Sequence, residues 1–188
     1  MQASKTATTS QTMNTTRLRY PLVLFDWGDT VMRDYPEKTT PMVEWDTVEA
    51  IEGIADVLAY LQDSGRQIAL ATSADVSTEA QIRAALARCG VDIYFSRIYS
   101  FTNTNLKKGE GFYRYILNDL SIPAAEVIMV GDHFEKDVQV PNRLGMFAVW
   151  FNLRAEQAQS SDLHITIDSM RELQTFFESL DGSRADTQ

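Results

Sequence analysis

The sequence predicts a three-layer α/β/α domain, with a central parallel sheet and helices on both faces. From Tyr20 onwards, short apolar runs alternate with longer amphipathic stretches, which is the pattern of strands connected by helices. Several of the runs are apolar at every position, as expected for parallel strands buried on both faces. A length of 188 residues suits one domain with a sizeable core.

Six apolar runs are the candidate strands. The last run has the weakest pattern, while the others are short, compact and mostly without polar interruptions. The predicted strands are residues 22–25, 67–71, 97–100, 127–130, 147–151 and 164–167.

Between the strands, apolar residues recur at steps of three and four, which places them on one face of a helix. A final helix is predicted to open at a capping box formed by Ser169 and Glu172 and to run through Leu180. Cys89 lies on such an apolar face, so we expect it to pack rather than react. The three internal stripes are Ile51, Ile54, Leu58 and Leu61; Ile82, Ala85, Leu86 and Cys89; and Phe112, Tyr113, Ile116, Leu117 and Leu120.

Composition excludes several classes of function. The chain has 17 basic and 26 acidic residues, and its formal net charge of -9 repels polyanions, which disfavours nucleic acid as a partner. Its single cysteine, Cys89, cannot form an internal disulfide, so a reducing, cytoplasmic location is expected. No apolar run approaches the ~18 residues that a membrane helix needs, so no membrane partner is expected.

The ends of the chain differ in composition from the middle. Residues 1–19 are rich in Thr, Ser and Gln and contain no acidic residue, which predicts a flexible tail. Residues 181–188 are polar and predict a short C-terminal tail. The folded domain is therefore expected to span residues 20–180.

Carboxylates follow two of the predicted strands. Asp26 comes directly after the first strand, and Asp132 and Asp137 follow the fourth. The carboxyl ends of parallel strands meet at one edge of a sheet, where such folds bind ligands. Clustered carboxylate oxygens suit a hard cation such as Mg²⁺. Each segment alone is also compatible with a simple turn or a helix cap.

Groups that can hold a phosphate follow the other strands. Thr72 and Ser73 end the second strand, and Lys107 and Lys108 lie in the loop after the third. Hydroxyl and ammonium groups bind phosphoryl oxygens through charge-assisted hydrogen bonds. Taken separately these residues are weak signals, but together with the carboxylates they predict one phosphate-binding site.

The order Asp26, Thr72, Lys107, Asp132 and Asp137 resembles the four motifs of the haloacid dehalogenase (HAD) superfamily of aspartyl-phosphate hydrolases. The resemblance covers residues 20 to about 180 and is strongest over residues 130–138. It implies a Rossmann-like (HAD-like) fold and a magnesium-dependent phosphatase of unknown substrate. The expected partner is a phosphorylated molecule.

The resemblance also implies a role for each matching residue. Asp26 would attack phosphorus and form an aspartyl phosphate, while Thr72 would bind a phosphoryl oxygen. Lys107 is preferred over Lys108 as the cation beside Asp26, since its distance of 25 residues from Asp132 fits the family spacing better. Mg²⁺ would be held by three groups, the Asp26 carboxylate, the Gly28 main-chain carbonyl and Asp132. Supporting positions would be Asp137, Asp29, Lys108, Ser73 and Gly131.

One position departs from the family pattern. Most phosphatases of the superfamily have a second aspartate two residues after the nucleophile, which protonates the leaving oxygen, and this chain has Gly28 there. Thr30 keeps its four-residue distance from Asp26, so a register slip does not restore the acid. Asp29 or His133 could substitute. The alternative function is a catalytically weak phosphate-binding or regulatory protein.

The chain has no room for a full cap domain. Between the first strand and the first helix lies a flap of about seventeen residues, 31–47. We therefore expect an open site edged by Trp27, Tyr35 and Trp45, or these aromatics packed beneath the flap, and a second protomer could cover it. The acidic fourth motif argues against carbon–halogen hydrolysis, and the nucleophile after the first strand excludes a phospho-receiver domain.

Overall fold

The structure is a computed structural model that describes residues 18–157 and 161–185. Most of the predicted N-terminal tail, residues 1–17, lies outside the described residues. No helix of the described segments is long and apolar enough to cross a membrane.

All six predicted strands are present within one residue of the predicted bounds. The third ends one residue earlier than predicted and the fourth one residue later. The strands are β1 (Leu22–Phe25), β2 (Gln67–Ala71), β3 (Arg97–Tyr99), β4 (Val127–Gly131), β5 (Phe147–Phe151) and β6 (His164–Ile167).

Six α-helices connect the strands or follow them. They are α1 (Ile54–Asp63), α2 (Glu79–Arg88), α3 (Phe101–Thr104), α4 (Glu110–Asp119), α5 (Val140–Arg143) and α6 (Met170–Ala185). A π-helix (Phe134–Gln139) and three 3-10 turns (Met42–Glu44, Asp92–Tyr94 and Ala124–Glu126) complete the described elements.

The strands form one parallel sheet in the order β3-β2-β1-β4-β5-β6. Chain connections run outward in both directions from the pair β1 and β4, so loops diverge at the carboxyl ends of these strands. Open parallel sheets form their ligand crevice at this point. The three-layer fold class is confirmed.

Alternation along each strand divides the core into two layers. Val23 and Phe25 of β1 pack in the cluster that contains the apolar faces of α1, α2 and α6. Leu22 and Leu24 pack on the opposite face, with Phe112 and other residues of α4. Every residue of β1 is buried, which explains why the run is continuously apolar.

The flap, residues 31–47, is folded against the body of the domain. Arg88, at the end of α2, donates hydrogen bonds to the carbonyl oxygens of Val43 (3.1 Å), Trp45 (2.5 Å) and Asp46 (2.8 Å). Trp45 is buried, and its indole N–H donates to the Thr40 carbonyl at 3.0 Å. No separate cap domain occurs in residues 18–157 or 161–185, as predicted.

Helix α6 extends into the segment 181–188 that the sequence predicts as a C-terminal tail. Helix α6 continues to Ala185, and Asp181 forms two hydrogen bonds with the Arg66 guanidinium, at 2.8 and 2.7 Å. Arg66 is buried, its Nε donates to the Tyr20 carbonyl, and its guanidinium lies over the Phe177 ring. Residues 181–185 are therefore part of the domain, because Asp181 neutralises a buried cation.

The capping interaction of α6 also differs in detail from the prediction. The Glu172 amide donates to Ser169 Oγ at 3.3 Å, as the capping box requires. The Glu172 carboxylate accepts instead from the Asp168 amide at 2.9 Å, one residue before the expected partner.

Asp181→Ala is expected to lower the free energy of unfolding by about 2 kcal/mol, because it leaves the buried Arg66 guanidinium without its anion. Urea unfolding followed by circular dichroism measures the loss. Glu178→Ala on the same helix is the control, since Glu178 is exposed and its change is expected to stay within ~0.5 kcal/mol. Equal stability of the two variants would contradict this account of α6.

Candidate functional site

The nucleophile position predicted from the sequence lies where β1 ends. The Asp26 amide donates to the Val130 carbonyl at 2.9 Å, which extends the β1–β4 pairing and holds Asp26 beside the end of β4. The chain then turns sharply, and the Trp27 carbonyl accepts from the amides of both Val31 and Met32. Asp29, in this turn, has a φ of 52°, which is uncommon for a residue other than glycine.

The end of β4 is shaped around the Asp137 carboxylate. Gly131 has no room for a side chain, because an added Cβ would overlap that carboxylate. Asp137 Oδ2 accepts from the His133 amide at 3.1 Å, and the Trp150 indole donates to the Asp132 carbonyl at 2.9 Å. The turn after β4 is thus held by hydrogen bonds to the Asp137 carboxylate and to the Asp132 carbonyl.

Asp137 belongs to a π-helix, Phe134–Gln139, rather than to an α-helix. Pro141 follows this segment and has no N–H, so it cannot donate to the Asp137 carbonyl as an α-helical continuation would require. A single π-turn before a proline is a known way to change the direction of a helix. Here it places Asp137 under the end of β4.

Three carboxylates and one ammonium form the centre of the site. Oxygens of Asp26, Asp132 and Asp137 lie within 4.8 Å of one another. Lys108 Nζ lies 2.6 Å from Asp26 Oδ1 and 2.5 Å from Asp137 Oδ1, and its side chain is only 2% exposed. The structure therefore brings the Asp26, Lys108, Asp132 and Asp137 side chains together.

The sequence favours Lys107 over Lys108 as the cation beside Asp26, and the structure places Lys108 there instead. Lys107 is exposed, and the residue that contacts Asp26 is Lys108. The physical reason is local. Adjacent residues in the loop before α4 point in different directions, and only the Lys108 side chain is buried. Counting residues along the chain cannot distinguish the two.

Helix α4 supports the cluster through a residue that sequence reasoning did not select for the site. The Tyr113 hydroxyl donates to the Lys136 carbonyl at 2.9 Å and lies 3.4 Å from Asp137 Oδ1. Burial, followed by the charge of Asp137, raises the pKa of Tyr113 well above its ordinary value. Tyr113 therefore stays a neutral donor. Its place on the apolar stripe of α4 concealed this role.

Burial dominates the electrostatics of the cluster. It raises the pKa of Asp26 to about 7, with Asp137 and Asp132 adding to the rise and Lys108 opposing it. Burial also raises the pKa of Asp132 to about 6. Burial alone would lower the pKa of Lys108, but the charges of Asp137 and Asp26 outweigh it and raise that pKa. The cluster thus holds excess negative charge that a cation would neutralise.

The free oxygens indicate which residues suit a hard cation. Both Asp137 oxygens are occupied, by Lys108 and by the His133 amide. Asp26 uses Oδ1 for Lys108, and Asp132 Oδ2 lies 3.8 Å from the exposed Arg154. Asp26 and Asp132 therefore offer oxygens of the kind that Mg²⁺ prefers, and Gly28 lines the same cavity.

Thr72 ends β2 beside this cluster. Its hydroxyl oxygen accepts from the Ala74 amide at 3.1 Å, so the hydroxyl hydrogen can be donated elsewhere. Thr72 is buried, and together with Ser73 it lines the cavity that contains Asp26 and Lys108. This geometry suits a donor to a phosphoryl oxygen.

The cavity above the cluster has a volume of about 370 Å³ and is open to solvent. Trp27 and Trp45 line the cavity and are also largely buried. They therefore both edge the open site and pack beneath the flap, the two arrangements expected from the sequence. Tyr35 is not among the lining residues and packs against Trp45 instead, with ring centroids 5.8 Å apart. Basic side chains also line the cavity, namely Lys38, Lys136 and Arg154.

The two proposed substitutes for the missing acid are engaged in other contacts. Asp29 Oδ1 accepts from the Asp34 amide at 3.1 Å, and Asp29 Oδ2 lies 3.9 Å from Arg154. His133 Nδ1 is the acceptor for the Lys136 amide at 3.5 Å. Asp34 also lines the cavity, and sequence reasoning missed it because it lies in the flap outside every motif.

The family model for haloacid dehalogenase-like hydrolases matches residues 8–151. The chain belongs to this family. The match includes Asp26, Thr72, Lys108 and Asp132, and the HAD resemblance inferred from the motifs is confirmed. No curated protein matches the sequence.

Several solved structures share the fold at low identity. An uncharacterized protein from Listeria monocytogenes serotype 4b superposes with a TM-score of 0.73 at 22% identity, over 86% of this chain and 98% of that one. A HAD-hydrolase from Bacillus subtilis bound to magnesium gives 0.67 at 14%, over 84% and 98%. A predicted phosphoglycolate phosphatase from Haemophilus somnus gives 0.67 at 11%, over 85% and 98%.

Asp26→Asn is expected to stabilise the metal-free protein at pH 8 by about 1 kcal/mol, or ~2–4 °C in Tm. Folding raises the pKa of Asp26 from 3.8 to about 7, so the fold disfavours the ionised form, and stability is lost as pH rises through this range. Asparagine at position 26 removes the negative charge, and Lys108 keeps its ion pair with Asp137.

Thermal unfolding in the presence of a chelator measures the effect. The exposed Asp46→Asn is the control and is expected to leave Tm unchanged. A lower Tm for Asp26→Asn would contradict the account of excess negative charge.

Proposed function

We propose that this HAD-like hydrolase is a magnesium-dependent phosphatase that works through an aspartyl phosphate on Asp26. The observation that carries the proposal is the buried contact between Asp26 and Lys108, with Asp132 and Thr72 beside it at the carboxyl edge of the sheet. Two structural neighbours agree with this proposal, since one is a predicted phosphoglycolate phosphatase and another a HAD-hydrolase bound to magnesium.

Asp26 supplies the nucleophile. Its Oδ2 is not used by Lys108, so this oxygen can bond to phosphorus in line with the leaving oxygen. Lys108 neutralises charge on Asp26 and on the transferring group, and Asp137 keeps the ammonium in place. Thr72 donates its hydroxyl hydrogen to a phosphoryl oxygen.

Asp26, Asp132 and the Gly28 carbonyl would hold Mg²⁺. A bound Mg²⁺ would supply charge neutralisation for the phosphoryl oxygens and for the crowded carboxylates. The raised pKa values of Asp26 and Asp132 support a site that needs a further cation.

The surroundings of the cavity support an anionic substrate. The chain carries a formal net charge of -9, yet four basic side chains, Lys38, Lys108, Lys136 and Arg154, line the cavity beside its six aspartates. Lys38 lies over the rings of Tyr35 and Trp45, which holds one of these cations near the opening. We propose a phosphorylated small molecule or side chain as substrate. A covering second protomer and a cytoplasmic location stay predictions from the sequence.

Purified protein is expected to hydrolyse p-nitrophenyl phosphate with Mg²⁺ and to lose the activity with a chelator. Asp26→Asn is expected to reduce turnover by more than ~1,000-fold, because no nucleophile remains. Steady-state kinetics measure both effects. Binding of phosphate and Mg²⁺ without turnover by the wild type would favour the alternative, a phosphate-binding or regulatory protein.

Lys108→Met and Lys107→Met form a matched pair. Lys108→Met is expected to reduce kcat/KM by ~100-fold or more, since it removes the cation between Asp26 and Asp137. Lys107→Met is expected to stay within about threefold of wild type, because Lys107 is exposed. Tm is recorded for both variants. Loss of activity in Lys107→Met alone would restore the prediction made from spacing.

A further inference from the structure

The position of Gly28 leaves the site without the carboxylate that usually protonates the leaving oxygen, and a flap residue lies in the vacated space. A Cβ built on Gly28 would lie 3.1 Å from Asp34 Oδ2 and 3.2 Å from Asp34 Cβ. Asp34 therefore occupies space beside the position that a residue-28 side chain would take, and its Oδ2 is the nearest atom.

We propose that Asp34 is the general acid and base of this site, supplied by the flap in place of residue 28. The inference rests on the proposed phosphatase function. It assigns a catalytic residue that lies outside the motifs and replaces the two candidates considered from the sequence, Asp29 and His133.

The contacts of Asp34 leave the relevant oxygen available. Its amide donates to Asp29 Oδ1 at 3.1 Å, and its own Oδ1 accepts from the Tyr35 amide at 2.8 Å. Oδ2 is the atom nearest the Gly28 position, and Asp34 lines the same cavity as Asp26. Tyr35 is in turn held by Glu49, to which its hydroxyl donates at 3.1 Å.

The flap can position an acid because it is tied to the domain body. Arg88 binds three flap carbonyls, and Trp45 packs against Tyr35. Asp29 contributes by accepting from the Asp34 backbone, which makes it a positioning residue rather than the proton donor. Its own backbone has a φ of 52°.

The proposed reaction has two steps, transfer of the phosphoryl group to Asp26 and its hydrolysis by water. As Asp26 bonds to phosphorus, the bond to the leaving oxygen breaks, and the proton on Asp34 Oδ2 passes to that oxygen, so that the alcohol departs. Asp34 then accepts a proton from water while the water oxygen bonds to phosphorus. The bond between phosphorus and Asp26 breaks, which releases inorganic phosphate and restores both carboxyl groups.

The test compares Asp34→Asn with wild type on two aryl phosphates. For phenyl phosphate, whose leaving group needs a proton, kcat/KM is expected to fall ~100-fold. For p-nitrophenyl phosphate, whose leaving group does not, kcat/KM is expected to stay within about threefold while kcat falls ~100-fold. Because the aspartyl phosphate then accumulates, a burst of one equivalent of p-nitrophenol is expected, and intact mass spectrometry should show one added phosphoryl group.

Two further variants separate the roles. Asp29→Asn keeps an acceptor oxygen for the Asp34 amide. It is therefore expected to show no burst of p-nitrophenol and a much smaller loss of kcat/KM on phenyl phosphate than Asp34→Asn. Gly28→Asp combined with Asp34→Gly returns the acid to its usual position and is expected to recover activity on phenyl phosphate. Mg²⁺ affinity by calorimetry is expected to be unchanged in Asp34→Asn, which distinguishes proton transfer from a metal effect.

The outcomes distinguish the two proposals. A wild type with no turnover of either ester would overturn the phosphatase and the acid together. An active wild type with an Asp34→Asn variant that behaves identically on both esters would overturn Asp34 alone. A burst and a selective loss in Asp29→Asn or His133→Asn instead would assign the proton transfer to that residue.

Discussion

The contact of the Lys108 ammonium with two carboxylates is the interaction on which the site depends. Taking an ionised group out of water costs several kcal/mol, and this site withdraws Asp26 and Asp137 from water while Asp132 lies beside them. One ammonium, itself 2% exposed, offsets part of that cost for both partners. The positions of β1, β4 and the loop before α4 are therefore coupled through a single side chain.

The backbone around this contact is shaped to allow it. Gly131 must lack a side chain so that Asp137 can approach, and the π-helix places Asp137 there. Within the described residues, two buried side-chain polar atoms have no hydrogen-bond partner, Trp27 Nε1 and Thr30 Oγ1. Both lie in the turn after Asp26, and each costs about 1–3 kcal/mol. These unpaired groups lower the stability of the turn beside the candidate nucleophile, and such local destabilisation is common at functional sites.

The sheet could be predicted because its signal is local. Each strand is buried on both faces, so its own residues are apolar, and the carboxyl ends of such strands meet by topology. Lys108 could not be distinguished from Lys107, because the difference is the direction of two adjacent side chains. The position of Asp181 depends on Arg66, 115 residues earlier in the chain, and no pattern near Asp181 signals this. The same holds for Asp34, whose proximity to Gly28 depends on the path of the flap.

The anchoring of the flap by Arg88 has a kinetic consequence. Enzymes with a mobile cap must open and close it in every cycle, and these movements often limit turnover. Here three hydrogen bonds from one guanidinium hold the flap carbonyls in place, and the cavity is open to solvent. Substrate entry and product release then require diffusion but no domain closure. For the proposed phosphatase, selectivity then comes from the fixed shape and charge of the opening, and a phosphate group on a large molecule can reach Asp26 as readily as one on a small metabolite.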